Sequence, residues 1–237
     1  MIDKITEAVK LLRSNFVLFS KIILTVWLPG SLLIVFLRYY IFPDMVGDDI
    51  MGSLAMEIRI SNLIELAFSP IYIGALLYAL SRIKQGLNVT YTESMSYGSK
   101  RSFKLFATRL STGLIVFLGF IALIIPGIIL ALRFTLVDEA VVLARVNGSQ
   151  ARKLSAKLTE GKRIEIGFTI TITIILAIIF SGLLSWLFYL PLSIIGQEGN
   201  FLWDVINECS LSIIFSIMYI VLFLFYWDRK NSLAELD

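Results

Sequence analysis

The run LSTGLIVFLGFIALI (Leu110 to Ile124), then Ile125-Pro126-Gly127, then IILALRFTLV (Ile128 to Val137) decides the fold of this 237-residue chain. Between Arg109 and Arg145 lie two apolar arms joined at a Pro-Gly pair, with basic clusters at both outer ends. As one helix the stretch would measure roughly 55 Å at 1.5 Å per residue, against hydrocarbon only ~30 Å thick. Folding it at Pro126-Gly127 instead gives two arms of about membrane length with both basic ends on one side. The sequence therefore predicts a transmembrane hairpin with its tip at Pro126 and Gly127.

Composition agrees with a membrane protein. Hydrophobic residues make up 57% of the chain, charged residues 16%, and mean hydropathy is +0.84. A soluble domain carries about 25% charged residues. Uncharged runs at Ile166 to Leu190 and Cys209 to Trp227 each supply the ~20 apolar residues that a crossing helix needs. The chain has no His and a single Cys, Cys209, inside an apolar run. That excludes disulfide frameworks, Cys/His metal sites and Cys–His nucleophiles, and no metal or cofactor is expected.

Outward from the hairpin, the expected architecture is all-α and polytopic: six transmembrane helices with kinked spans and short interfacial helices, forming one domain over 1–237. The spans fall at about 22–42, 60–81, 108–125, 127–145, 164–190 and 208–227. Pro29 and Pro70 interrupt the first two as kinks rather than turns, because a turn would leave arms too short to cross. Arg38, Tyr39 and Tyr40 mark the far end of the first span, as a snorkelling Arg and interfacial aromatics do. Residues 2–15 place Ile2, Ile5, Val9 and Leu12 along one face, which predicts an amphipathic helix on the membrane surface. A second such helix is expected at 149–160, begun at Asn147-Gly148-Ser149 and stopped at Gly161, with Ala151, Leu154 and Leu158 beside Arg152, Lys153 and Lys157.

Charge sets the orientation. With six spans and both termini inside, 18 of the 21 basic residues are cytoplasmic, a strong positive-inside signature. Arg38 and Arg59 lie outside, and Arg133 lies within a span. The sequons at Asn88 and Asn147 fall on the cytoplasmic side and are taken as chance.

Ionisable residues at membrane depth are the candidate functional positions. Glu65 in the second span and Arg133 in the fourth lie at similar depth, so they are expected to face each other as an intramembrane polar pair. Asp138 and Glu139 sit in the inner half of the fourth span. They point about 100° apart on a helix, which suits neither a shared catalytic task nor a metal site. Lys104, Arg109 and Arg145 are near enough in depth to neutralise them. Thr169, Thr171 and Thr173 spread around their helix rather than lining a polar path, and Ser181, Gly182 and Ser185 suit close packing.

Ile125-Pro126-Gly127-Ile128, followed by Arg133-Phe134-Thr135-Leu136, Val141-Val142-Leu143, Ala151, Ser155, Leu158-Thr159 and Gly161, resembles a pattern in a group of bacterial six-span proteins. The group includes the YciC-type inner-membrane proteins and the membrane domain attached to some glycerophosphoryl diester phosphodiesterases. The resemblance covers about Tyr91 to Gly167 in detail. It implies a six-helix plasma-membrane protein. Phosphodiesterase activity does not carry over, because in the fused proteins it belongs to a separate soluble barrel. The chain departs from the pattern at Asp138-Glu139, where apolar residues are usual, and at Ala156, where an aromatic is frequent.

No phosphate-cradling loop, nucleophile elbow or His-Glu-x-x-His run occurs. The expected function is an interaction or envelope-maintenance protein of the plasma (inner) membrane, not an enzyme, working through helix and lipid contacts. Its expected partners are membrane lipids, with anionic headgroups at the cytoplasmic face, with a membrane-protein partner as a further candidate; nucleic acid is not expected. The alternative is a transporter or channel for a small or lipidic solute, which kinked spans and an intramembrane Glu–Arg pair would suit.

Overall fold

The computed structural model describes residues 2–43, 50–194 and 200–234, which are helical with no strand among them. Ten helices are resolved there: α1 (Ile2–Ser14), α2 (Phe16–Tyr40), α3 (Ile50–Lys84), α4 (Tyr91–Ala122), α5 (Ile124–Arg133), α6 (Val137–Leu143), α7 (Gly148–Leu158), α8 (Arg163–Ile194), α9 (Phe201–Phe215) and α10 (Ile217–Ala234). Five stretches are long and apolar enough to cross a membrane: α2, Leu54–Lys84 of α3, α4, Arg163–Pro191 of α8, and Phe201–Leu233, which joins α9 to α10. Pro29, Pro70 and Pro191 all sit inside helices.

Helix starts follow local chemistry. Thr90 caps α4 with a reciprocal box: its hydroxyl accepts from the Glu93 N–H, and the Glu93 carboxylate accepts from the Thr90 N–H at 2.9 Å. Asn200 caps α9, accepting from the N–H groups of Leu202 and Trp203. Gly161, at φ 74°, ends the turn between α7 and α8, a left-handed position that glycine takes without steric cost.

The hairpin exists, but its tip is three residues earlier than expected. Leu123 alone is extended (φ −165°, ψ 150°), and Pro126 and Gly127 lie in the first turn of α5. Proline is tolerated there because its missing N–H would have no intrahelical partner in any case. Gly127 serves contact rather than turning. A Cβ on it would lie 2.4 Å from the Phe120 ring and 2.9 Å from the Phe120 Cα. Gly119 faces it from α4, where a Cβ would lie 3.2 Å from the Gly127 Cα. Small residues facing each other let the two arms touch along their backbones.

The expected fourth span, 127–145, is not one helix. It is ten-residue α5, a break at Phe134 to Leu136, and seven-residue α6. The break is held from outside: the Leu136 N–H donates to Ser155 Oγ, and the Arg133 carbonyl accepts from the hydroxyls of Ser155 and Thr159. Those α7 hydroxyls supply partners that continuous helix would otherwise give, so the chain can bend and lay α6 against α3 and α4.

Helices α3 and α4 form the tightest crossing. Gly74 and Gly98 meet there, and the Tyr78 and Tyr97 rings stack at 4.4 Å. Around this crossing the lower parts of α2, α3, α4 and α10, with α6, α7 and the start of α8, build one apolar core in which Phe19, Leu76, Leu80, Leu105, Leu136 and Phe223 are buried. Helix α1 packs below it through Ala8, tied by Lys4 to Asp228 and by Glu7 to Lys84. Of the stripe expected to face the membrane, Ile2 and Val9 point outward, whereas Ile5 is half-buried and Leu12 packs against the core.

Candidate functional site

Two polar centres lie along the bundle, an inner one nearer the end with Lys84 and Arg229 and an outer one at the end with Arg38, and neither is the pair expected from depth. Glu65 and Arg133 do not meet. Helix α3, which carries Glu65, packs on α2, α4, α6 and α10, whereas α5, which carries Arg133, packs on α4, α7 and α8. Arg133 is exposed, its guanidinium 6.0 Å from the Phe134 ring centre. The break after α5 also draws Arg133 to the level of α7, so the depth match assumed for a straight fourth span does not hold.

The inner centre is built on Arg109. Its Nε lies 3.2 Å from Asp138 Oδ2, Nη1 donates to Ser69 Oγ at 2.7 Å, and Nη2 reaches the Tyr219 hydroxyl at 3.4 Å. Tyr72 stands edge-on to Tyr219, with ring centres 6.2 Å apart. Four helices thus converge on one guanidinium, which suits its planar fan of donors. Of the three cations near enough in sequence depth, Arg109 holds Asp138; Lys104 and Arg145 are exposed and form no ion pair with it. Arg145 instead takes a left-handed backbone (φ 61°) at the exit from α6.

Glu139, the next residue, forms no hydrogen bond with this cluster. It is 0% exposed, and neither carboxylate oxygen has a hydrogen-bond partner. A full charge there would be costly to hold.

The outer centre joins four helices near their far ends. Arg38 of α2 pairs with Glu57 of α3 and donates to Glu208 of α9 at 2.7 Å, with Asp204 at 3.8 Å. Asp204 also accepts from Tyr39 at 2.8 Å and from Tyr189 of α8. Ser185 donates to Asn207 at 2.8 Å nearby. One cation among three carboxylates leaves this end acidic.

Between the centres lies a cavity of about 380 Å³, lined by Trp27, Glu65, Tyr72, Glu208, Ser212 and Tyr219 among others. A second, of about 410 Å³, lies in the groove between α4 and α5, with Arg109 and Asp138 at one end and Val116, Phe117, Phe120 and Phe134 along it. The Arg109 cluster stands between the two. Among the described residues, no three or more carboxylate or thiol side chains converge as a metal site would need.

Other polar positions are structural. Thr169, Thr171 and Thr173 each donate to the carbonyl four residues back, satisfying their hydroxyls within the helix. Gly182, expected at a close contact, faces open space, while Gly98, Gly119, Gly127 and Gly167 make the close contacts. A signal for Gly98 was present in small residues four apart, Ser94, Gly98 and Ser102. The outer network had no local signal, because Arg38 and its α9 partners are separated by about 170 residues. No family model matches the chain, and neither the curated proteins nor the solved structures contain a match.

Proposed function

We propose that the chain is a multi-pass protein of a bacterial plasma (inner) membrane, allied to the YciC-type group it resembles. Both termini face the cytoplasm, and it works through lipid and helix contacts rather than by catalysis. Six crossings follow if the α4–α5 hairpin reaches the outer face, and four if it stops short. Either number leaves the termini on one side. The contrast between the two ends of the bundle supports this orientation: Lys84, Arg163, Arg229 and Lys230 at one, aromatics and the acidic network at the other.

The observation that carries the functional reading is α7. Ala151, Ser155 and Leu158 are buried against the bundle, while Lys153 and Lys157 are exposed and Arg152 is half-buried. With its apolar face packed on the bundle, α7 turns Lys153 and Lys157 outward at the basic end, where they would attract anionic headgroups. Native mass spectrometry of protein released from nanodiscs of mixed anionic and zwitterionic lipid tests it. Anionic lipid should be retained preferentially, and the preference should fall when Arg152, Lys153 and Lys157 are changed together to Gln. Equal retention of both lipids by the parent protein would contradict the proposal.

A transport role is the second reading, favoured by the cavity that reaches Glu65 and Glu208. It calls for solute flux into proteoliposomes that is lost in Glu65→Gln.

A further inference from the structure

We infer that the α4–α5 hairpin is re-entrant: it enters the bilayer from the basic side, ends within the hydrocarbon short of the opposite face, and presents its tip to lipid acyl chains. The inference rests on the membrane placement proposed above and goes beyond it. Two independent observations support it.

The first is reach. Helix α5 lies antiparallel along the start of α8: Ile128, Leu132 and Thr135 line a common groove with Ile164, Gly167 and Thr171. A Cβ on Gly167 would lie 2.8 Å from Leu132, so these two residues fix the relative height of the helices. From Leu132 back to the tip at Leu123 is nine residues, about 14 Å at helical rise. From Arg163, the basic end of α8, up to Gly167 is four residues, about 6 Å. The tip therefore stands no more than about 20 Å above Arg163, in a hydrocarbon layer ~30 Å thick. Helix α8 itself continues from Gly167 to Tyr189, 22 residues or about 33 Å. Any tilt of the hairpin lowers the tip further.

The length of α4 does not oppose this. Its 32 residues span about 48 Å, but Lys100, Arg101 and Lys104 occupy its first half. Only the part beyond Arg109 is free of charge.

The second observation is the chemistry of the tip. Where the other long helices reach the outer side they carry Arg38, Tyr39 and Tyr40, Trp186 and Tyr189, or Trp203 and Asp204. The hairpin carries Phe120 to Leu130 without a single polar, Trp or Tyr side chain. Leu123, Ile124 and Ile125 are 68%, 70% and 70% exposed. A water-facing turn would not present such a surface.

Backbone accounting fits hydrocarbon as well. The turn is one residue long. The Leu123 N–H donates to the Gly119 carbonyl, and the Gly127 N–H donates to the Leu123 carbonyl. Pro126 has no N–H, so of the donors a helix start leaves free, only those of Ile124 and Ile125 remain. Irregular backbone in lipid is costly, and this tip keeps it to a minimum.

The test uses single cysteines in a Cys209→Ser background: Leu123→Cys and Ile125→Cys at the tip, with Tyr40→Cys and Lys153→Cys as references for the two faces. A membrane-impermeant maleimide is applied to right-side-out vesicles, to inverted vesicles, and after denaturation in SDS. Tyr40→Cys should react only right-side-out and Lys153→Cys only inverted, while both tip cysteines should react only in SDS. Reaction of the tip from the same side as Tyr40→Cys would show a complete crossing and overturn the inference. Reaction from the Lys153→Cys side would show that the hairpin is not inserted, which also overturns it. If the two reference positions react from one side, the membrane placement itself fails, separately from the hairpin. The tip side chains touch little protein, so their replacement leaves packing intact, and two tip positions guard against one poorly folding variant.

Discussion

Replacing Gly98 with alanine should sharply reduce the fraction of folded protein, whereas Gly113→Ala should leave it unchanged or raise it. Both glycines lie in α4. A Cβ on Gly98 would lie 2.5 Å from the Ile71 carbonyl oxygen, 2.6 Å from the Ala75 nitrogen and 2.9 Å from the Ala75 Cβ. Two of those neighbours are backbone atoms of α3 and cannot rotate away. The helices would have to separate, disturbing the Tyr78–Tyr97 stack and the Tyr97 hydroxyl bond to the Val142 carbonyl beside it. Overpacking costs about 1–3 kcal/mol when side chains can adjust, so this site should lie at or above the upper end. Gly113 has nothing within 4 Å, and alanine in a helix interior gains about 0.5–1 kcal/mol over glycine. Unfolding in a detergent–SDS titration measures both. Equal behaviour of the two variants would mean that α3 and α4 do not cross at Gly98.

The second large effect is expected at the inner ion pair. Arg109→Ala or Asp138→Ala should each cost about 3–5 kcal/mol, because removing one partner strands the other in a largely buried place. Arg109 would also leave Ser69 Oγ and the Tyr219 hydroxyl without their partner. The double change Arg109→Met with Asp138→Leu removes both charges together and should recover much of the loss. Glu65→Gln and Arg133→Gln should each stay within about 0.5 kcal/mol of the parent, as exposed positions without an ion pair usually do. The same titration decides. A loss at Glu65 comparable to that at Asp138 would reinstate Glu65 as part of a buried pair.

The contrast between Asp138 and Glu65 shows where sequence reasoning succeeds and where it stops. The long apolar helices, the helices at Ile2–Ser14 and Gly148–Leu158 and the existence of a hairpin were legible because each depends on local patterns: apolar run length, helical periodicity and caps such as Asn147 and Gly161. Orientation was expected from the distribution of 21 basic residues. What failed depended on one unmarked break. Nothing near Phe134 signals a stop, since the partners that stabilise it, Ser155 and Thr159, arrive from α7 about twenty residues later. With the fourth span drawn straight, Arg133 was placed at the wrong depth and against the wrong helix. The tip moved for a related reason. Proline and glycine usually mark turns, but here Pro126 opens a helix and Gly127 lets two helices touch. The outer network of Arg38, Glu57, Asp204 and Glu208 exists only after three helices assemble.

The central claim is that the basic end of the bundle and the Arg38 end face opposite sides of a membrane. Labelling of Tyr40→Cys and Lys230→Cys in intact cells with an impermeant maleimide tests it most directly. The expected result is reaction at Tyr40→Cys without permeabilisation and at Lys230→Cys only after it. Reaction at both positions in intact cells, or at Lys230→Cys alone, would contradict the orientation.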